Sequence, residues 1–176
     1  MDSQEDRTVN YKGLPIGEGA PVIVNTVVEI PSGSSNKYEY DVNLGVFRLD
    51  RVLYSPVHYP ADYGFIPGTL GQDGDPLDIL ILISRPTFPG CLVEARPVGM
   101  LDMVDDKGVD EKILAVANGD PRYQRIEELT GVEPHVLKEI EHFFNVYKEL
   151  EGRTSLTSGW LGRGAAHERI ETYRLR

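Results

Sequence analysis

LGQDGDPLDILIL, residues 70–82, changes character half-way. Its first half is a turn that holds two glycines, a proline and three aspartates, Asp73, Asp75 and Asp78. Its second half opens an unbroken apolar run, Ile79 to Ile83. Such a run, without polar alternation, reads as a central strand buried on both faces. Crowded carboxylates repel one another and are ordinarily driven to solvent. The stretch therefore sets excess negative charge at the mouth of a buried strand, where a positive partner belongs.

Outward from this stretch the chain is mostly of β type. VIVNTVVEI (22–30) is rich in β-branched residues, KYEYDV (37–42) alternates, and VFRLDRVLY (46–54) reads as another strand. CLVEARPVGMLDMVD (91–105) reads as one long strand or two, interrupted near Pro97 and Gly99, and KILAVA (112–117) as the last clear one. Apolar residues from Val136 to Leu150 then recur at spacings of three and four, which predicts a helix over about 134–150, started by Pro134 and ended by Gly152. AAHERIETY (165–173) suits a short terminal helix. Strands first and helices last predict a mainly β (α+β) chain, an antiparallel barrel with helices packed outside. It reads as a single domain over 1–176, with an irregular arm over 1–20 and a C-terminal tail over 155–176.

Composition narrows the function. With 176 residues, 40% hydrophobic and 26% charged, the chain suits a globular domain with a sizeable core. It has no apolar run of membrane length, and MDSQEDRTVN lacks the basic and apolar regions of a secretory leader. One cysteine, Cys91, makes no internal disulfide, which fits a cytoplasmic setting. A formal net charge of −10 disfavours nucleic acid as a partner. It leaves room for an anionic substrate held through divalent cations.

Several charges stand on faces that alternation would make apolar. Arg51 shares a face with Phe47, Leu49 and Leu53; Glu29 shares one with Ile23 and Val27; Lys37 and Glu39 face together. Drawn from three neighbouring strands, they point to a polar cavity at a barrel mouth. A stiff loop follows, with Tyr54, Tyr59 and Tyr63 among Pro56, Pro60 and Pro67. A second acidic turn, LDMVDDKGVDEK (101–112), carries Asp102, Asp105, Asp106, Asp110 and Glu111 beside Lys107 and Lys112.

An all-oxygen acidic pair of turns favours Mg²⁺ or Mn²⁺, with Ca²⁺ possible, over zinc. His58, His135, His142 and His167 show no H-x-x-x-H spacing, and the residues after Asp73 do not fit an EF-hand. No P-loop or G-x-S-x-G elbow is present, and GEGAPV lacks the third glycine of a dinucleotide loop. Carboxylates, basic groups and tyrosines together suit metal-assisted phosphoryl hydrolysis. A non-catalytic divalent-cation-binding OB-type module is the alternative, but it leaves the basic residues unexplained.

DGDPLD (73–78) resembles the D-x-D-P-x-D signature of family I soluble inorganic pyrophosphatases. The likeness extends through VVEIPSGSSNKYEYD, LDRVLY, HYPADYGFIPGTLGQDGDPLDIL, ARPVGMLDMVDDKGVDEKILAV and HFFNVYKELE, roughly residues 20–152. The resemblance implies an OB-like five-stranded β-barrel and Mg²⁺-dependent hydrolysis of pyrophosphate to two orthophosphates by a metal-activated water. Mn²⁺ would substitute, and Ca²⁺ would bind but support catalysis poorly. It implies metal ligation by Asp73, Asp78, Asp105 and Asp110, with Asp78 bridging two ions. It implies that Asp75 is the general base or orients the water. Glu29, Glu39 and Asp106 would hold metal-bound waters. Lys37, Arg51, Lys112, Tyr147 and Lys148 would bind phosphate, Arg51 and Tyr63 would assist catalysis, and Tyr59 would line the wall. Asp62 and Asp106 depart from the Asn and Glu of many bacterial members. The resemblance also implies a homo-oligomer, a hexamer; separately, His135 and His142 lie on or near the face of the expected 134–150 helix and are candidates for a subunit contact.

Overall fold

The computed structural model describes residues 9–176. Five strands close a ring. β1 (Val24–Ile30) pairs with β4 (Asp62–Phe65), β4 with β5 (Asp78–Leu82), β5 with β8 (Lys112–Ala117), β8 with β6 (Leu92–Asp105), and β6 returns to β1. Four of these pairings are antiparallel, as the strand-rich sequence leads one to expect; β5 and β8 run parallel. β2 (Asn36–Asp41) and β3 (Val46–Val52) form a separate two-stranded hairpin. β7 (Gly108–Val109) folds back on the end of β6 across the second acidic turn.

Closure removes the sheet edges and gives every barrel strand an inner and an outer face. Ile79, Leu80, Ile81, Leu114 and Val116 are completely buried, as the unbroken apolar runs of β5 and β8 require. One cluster, with Leu80, Leu101, Met103 and Leu114, meets helix α1 (Pro134–Val146) through Ile140, Phe143 and Phe144. A second, with Ile79, Ile81, Met100 and Ile113, meets helix α2 (Arg163–Tyr173) through Ala166 and Ile170.

Four elements differ from the sequence reading. β4, DYGF, was expected as part of a stiff loop because tyrosines and prolines crowd the stretch around it. Its glycine is required: a Cβ on Gly64 would lie 1.9 Å from the Val27 carbonyl oxygen. Asp62, also in β4, is fully buried and accepts from the backbone N–H of Ser32 and Thr87 and from the Thr87 hydroxyl. The tail holds a further strand, β9 (Ser155–Gly162), paired with β6; its polar and glycine content hides it. The expected helix over 134–150 stops at Val146, and a 3₁₀ turn, Glu149–Glu151, ends at Gly152 with φ 70°. Leu150 is exposed as a result. Leu49 is exposed too, although it stays in register with Phe47 on the β2–β3 pair; the bulge falls after it, at Asp50.

Candidate active site

The two acidic turns meet at one end of the barrel. Because β5 and β8 are parallel, Asp78 and Lys112 stand opposite each other where both strands begin. The β2–β3 hairpin arches beside them, held by a knot of rings: Tyr40 and Phe47 pack against Tyr11 at centroid distances of 5.1 and 5.0 Å. Between hairpin and barrel lies a cavity of about 500 Å³.

Two bulges aim acids into it. The β1–β4 register slips between Val28 and Ile30, so Glu29 leaves the ladder. The β2–β3 register passes from Lys37↔Arg51 to Tyr38↔Leu49, so Asp50 has no partner residue and shares the cavity with Arg51. Strict alternation would have sent Asp50 to the opposite face, which is why sequence reasoning missed it. Lys12, Lys107 and Arg153 also line the cavity without having been expected there. Lys12 and Arg153 lie outside the recognisable motifs; Lys107 was visible only as part of a charged turn.

Asp73, Asp75, Asp78, Asp105 and Asp110 all line this cavity, with Glu29, Glu39, Lys37, Arg51, Tyr63, Lys112, Tyr147 and Lys148. Two expected residues are elsewhere. Asp106 does not line the cavity itself but pairs at 3.1 Å with Arg153, which does; Asp105, which accepts from the Lys107 N–H, takes the lining position. Tyr59 is buried behind the wall, its ring 4.8 Å from that of Phe143.

Ammonium groups stand between the acids. Lys112 Nζ donates to Asp78 Oδ2 and to Asp110 Oδ1, each at 2.6 Å. Lys148 Nζ donates to Asp105 Oδ2 at 2.8 Å and Lys12 Nζ to Asp75 Oδ1 at 2.9 Å. Lys37 pairs with Glu39 and Asp50. Arg51 donates from Nη1 to Asp50 at 2.5 Å and from Nε to Glu151 at 2.8 Å. Its Nη2 is buried with no hydrogen-bond partner among the described residues. No group of three carboxylates closes on one point among the described residues.

The electrostatics show a shortage of positive charge. Eight carboxylates line the cavity against seven basic groups, and one ammonium serves both Asp78 and Asp110. Burial, partly offset by the Tyr40 N–H, pushes the Glu29 carboxyl up to about 7. Burial and the neighbouring Asp78 raise Asp110 despite Lys112. Burial alone would lower the Lys112 ammonium, but Asp78 and Asp110 outweigh it and hold the group charged. Burial also keeps the Tyr63 phenol well above its ordinary range, so it stays a proton donor. Carboxylates under this strain are relieved by additional cations with oxygen affinity.

The family model for inorganic pyrophosphatase matches residues 26–176. The chain belongs to the inorganic pyrophosphatase family. The inorganic pyrophosphatase of Methanosarcina acetivorans is 55% identical over 144 residues, covering 82% of this chain and 86% of that protein. That of Thermus thermophilus is 49% identical over 164 residues, covering 92% and 94%. The crystal structure of inorganic pyrophosphatase from Thermus thermophilus superposes with a TM-score of 0.92 at 48% identity, over 94% of this chain and 97% of that one. The family match spans both acidic turns.

Proposed function

We infer that this chain is a hydrolase that converts inorganic pyrophosphate to two orthophosphates. Beyond family membership, one observation carries the reading: Lys37, Arg51, Lys112 and Lys148 share a single cavity with the crowded carboxylates. A small polyanion suits the basic groups, and divalent cations suit the acids.

Asp73, Asp78, Asp105 and Asp110 would hold the ions, and Mg²⁺ suits short all-oxygen ligands best, with Mn²⁺ a substitute. Ions bound there would neutralise phosphate oxygens and acidify the attacking water. The remaining work falls to the chain. Arg51, Lys37 and Lys148 bind phosphoryl oxygens and take up charge on the leaving phosphate. Lys112 holds Asp78 and Asp110 in place. Asp75 accepts the proton of the attacking water or orients it, and the Tyr63 hydroxyl donates a hydrogen bond from the wall. Glu29 and Glu39 hold waters around the ions. The same reading makes the protein a cytoplasmic homo-oligomer, a hexamer. Exposed Leu156 and Leu161 on β9 support a covered face, and no helix among the described residues is long and apolar enough to cross a membrane.

The test is phosphate release from pyrophosphate with Mg²⁺ and with EDTA, for the wild type and for Asp75→Asn and Asp78→Asn. The expected outcome is Mg²⁺-dependent release, abolished by EDTA and lowered at least about 100-fold in each variant. No release with any divalent ion would leave a cation-binding barrel without chemistry.

A further inference from the structure

We propose that Lys12, carried by the N-terminal arm, is a positioning residue for Asp75. The proposal rests on the pyrophosphatase reading and adds a residue that lies before the region matched by the family model.

The geometry begins with the arm. A 3₁₀ turn, Tyr11–Gly13, is capped by Asn10, whose side chain accepts from the Gly13 N–H. The turn is seated, not draped. The Tyr11 ring meets Tyr40 and Phe47 edge-on, and the Tyr40 hydroxyl donates to the Val9 carbonyl at 2.8 Å. Further along, the Asn25 backbone N–H donates to the Ile16 carbonyl and its side chain to that of Pro15. These contacts fix the Lys12 Cα beside the cavity, and its ammonium reaches Asp75 Oδ1 at 2.9 Å across 63 residues of sequence.

Asp75 needs such a partner. The backbone of its turn is held: Asp73 Oδ1 accepts the Asp75 N–H, and the Asp75 carbonyl accepts from Gly71. Its carboxylate is 67% exposed, and Lys12 is its one side-chain partner among the described residues. An exposed aspartate with a free χ1 samples several rotamers, and a water-orienting group loses rate when its direction is lost. Lys12 selects one direction. Because the same turn packs on the β2–β3 hairpin, it also ties the Asp75 loop to the element that carries Lys37 and Arg51.

An exposed ion pair is weak, so the effect is modest. Lys12→Met should lower kcat about threefold to fivefold with KM for pyrophosphate nearly unchanged, and Lys12→Arg should restore most of the rate. The decisive comparison uses the residual rate of Asp75→Asn. If Lys12 acts through Asp75, adding Lys12→Met to Asp75→Asn changes nothing further. A rise in KM, or an undiminished effect in the Asp75→Asn background, would make Lys12 a direct substrate contact and overturn the proposal. So would an unchanged kcat in an active enzyme. A wild type that releases no phosphate overturns the pyrophosphatase reading and this proposal with it. Thermal melting separates loss of fold, since Lys12 is a partly exposed side chain whose removal should leave Tm in place.

Discussion

The barrel and the β2–β3 hairpin share the cavity but are built on opposite terms. Residues of β8 are all buried, whereas most of β3 is exposed. The barrel is held by apolar burial from every side. The hairpin is held by three rings, Tyr11, Tyr40 and Phe47, and by ion pairs that include the phosphate-binding candidates themselves. The contrast teaches that stability and binding are drawn from different parts of the chain. A closed barrel can fix Asp78 and Lys112 rigidly because its core does not depend on them. The hairpin's charges instead pair with acids along the open cavity.

Damage to the two regions should therefore separate. Leu114→Ala, in the barrel, should cost about 2–5 kcal/mol of folding free energy with activity per folded molecule retained, read from denaturant unfolding beside phosphate release. Mg²⁺ should stabilise the acidic end by about 2.7 kcal/mol at a hundredfold excess over its Kd, seen as a rise in Tm that EDTA reverses. Asp78→Asn should shrink that rise; an equal rise would show that the ions bind elsewhere. Phe47→Ala loosens the hairpin, and should raise KM about tenfold, or about 1.4 kcal/mol, while shifting Tm less than Leu114→Ala does. If it unfolds the protein instead, the two regions are not independent.

The smallest effect concerns the far side of the barrel, as a control on pH. The Ser84 side chain first, then the Ser84 and Arg122 N–H groups that donate to Asp120, hold its carboxyl down at about 2 from an ordinary 3.8. A depressed carboxylate stabilises the fold above its unfolded pKa and loses that contribution as pH falls from about 4 towards 2. Asp120→Asn should flatten the acid limb of stability over that window without changing hydrolysis at neutral pH. An unchanged acid limb would remove Asp120 from that account.

Much of this could be read from residue order. The unbroken apolar runs announce β5 and β8, the three-and-four spacing announces α1, and DGDPLD with VDDKGVD announces two acidic turns. β4 and β9 were hidden because their residues suit strands only where neighbours supply the rest. DYGF depends on the Val27 backbone passing close by, and SLTSGWLG borrows β6 as its partner. Site residues divide in the same way. Lys37, Glu39 and Arg51 were visible as charges on faces that should have been apolar. Asp50 and Lys12 were not, since one depends on a bulge and the other on an arm docked by aromatic packing.

By itself the sequence determined what is local or compositional: which segments bury both faces, where acids are concentrated on turns, and that oxygen ligands and basic groups coexist. Those follow from hydrophobic periodicity and side-chain chemistry, which need no long-range information. The tertiary structure decided which charges meet. The parallel β5–β8 pairing set Asp78 against Lys112, a register slip turned Asp50 inward, and the docked arm brought Lys12 to Asp75. A one-residue change of register moves a side chain to the other face of a strand, and only the partner strand sets the register.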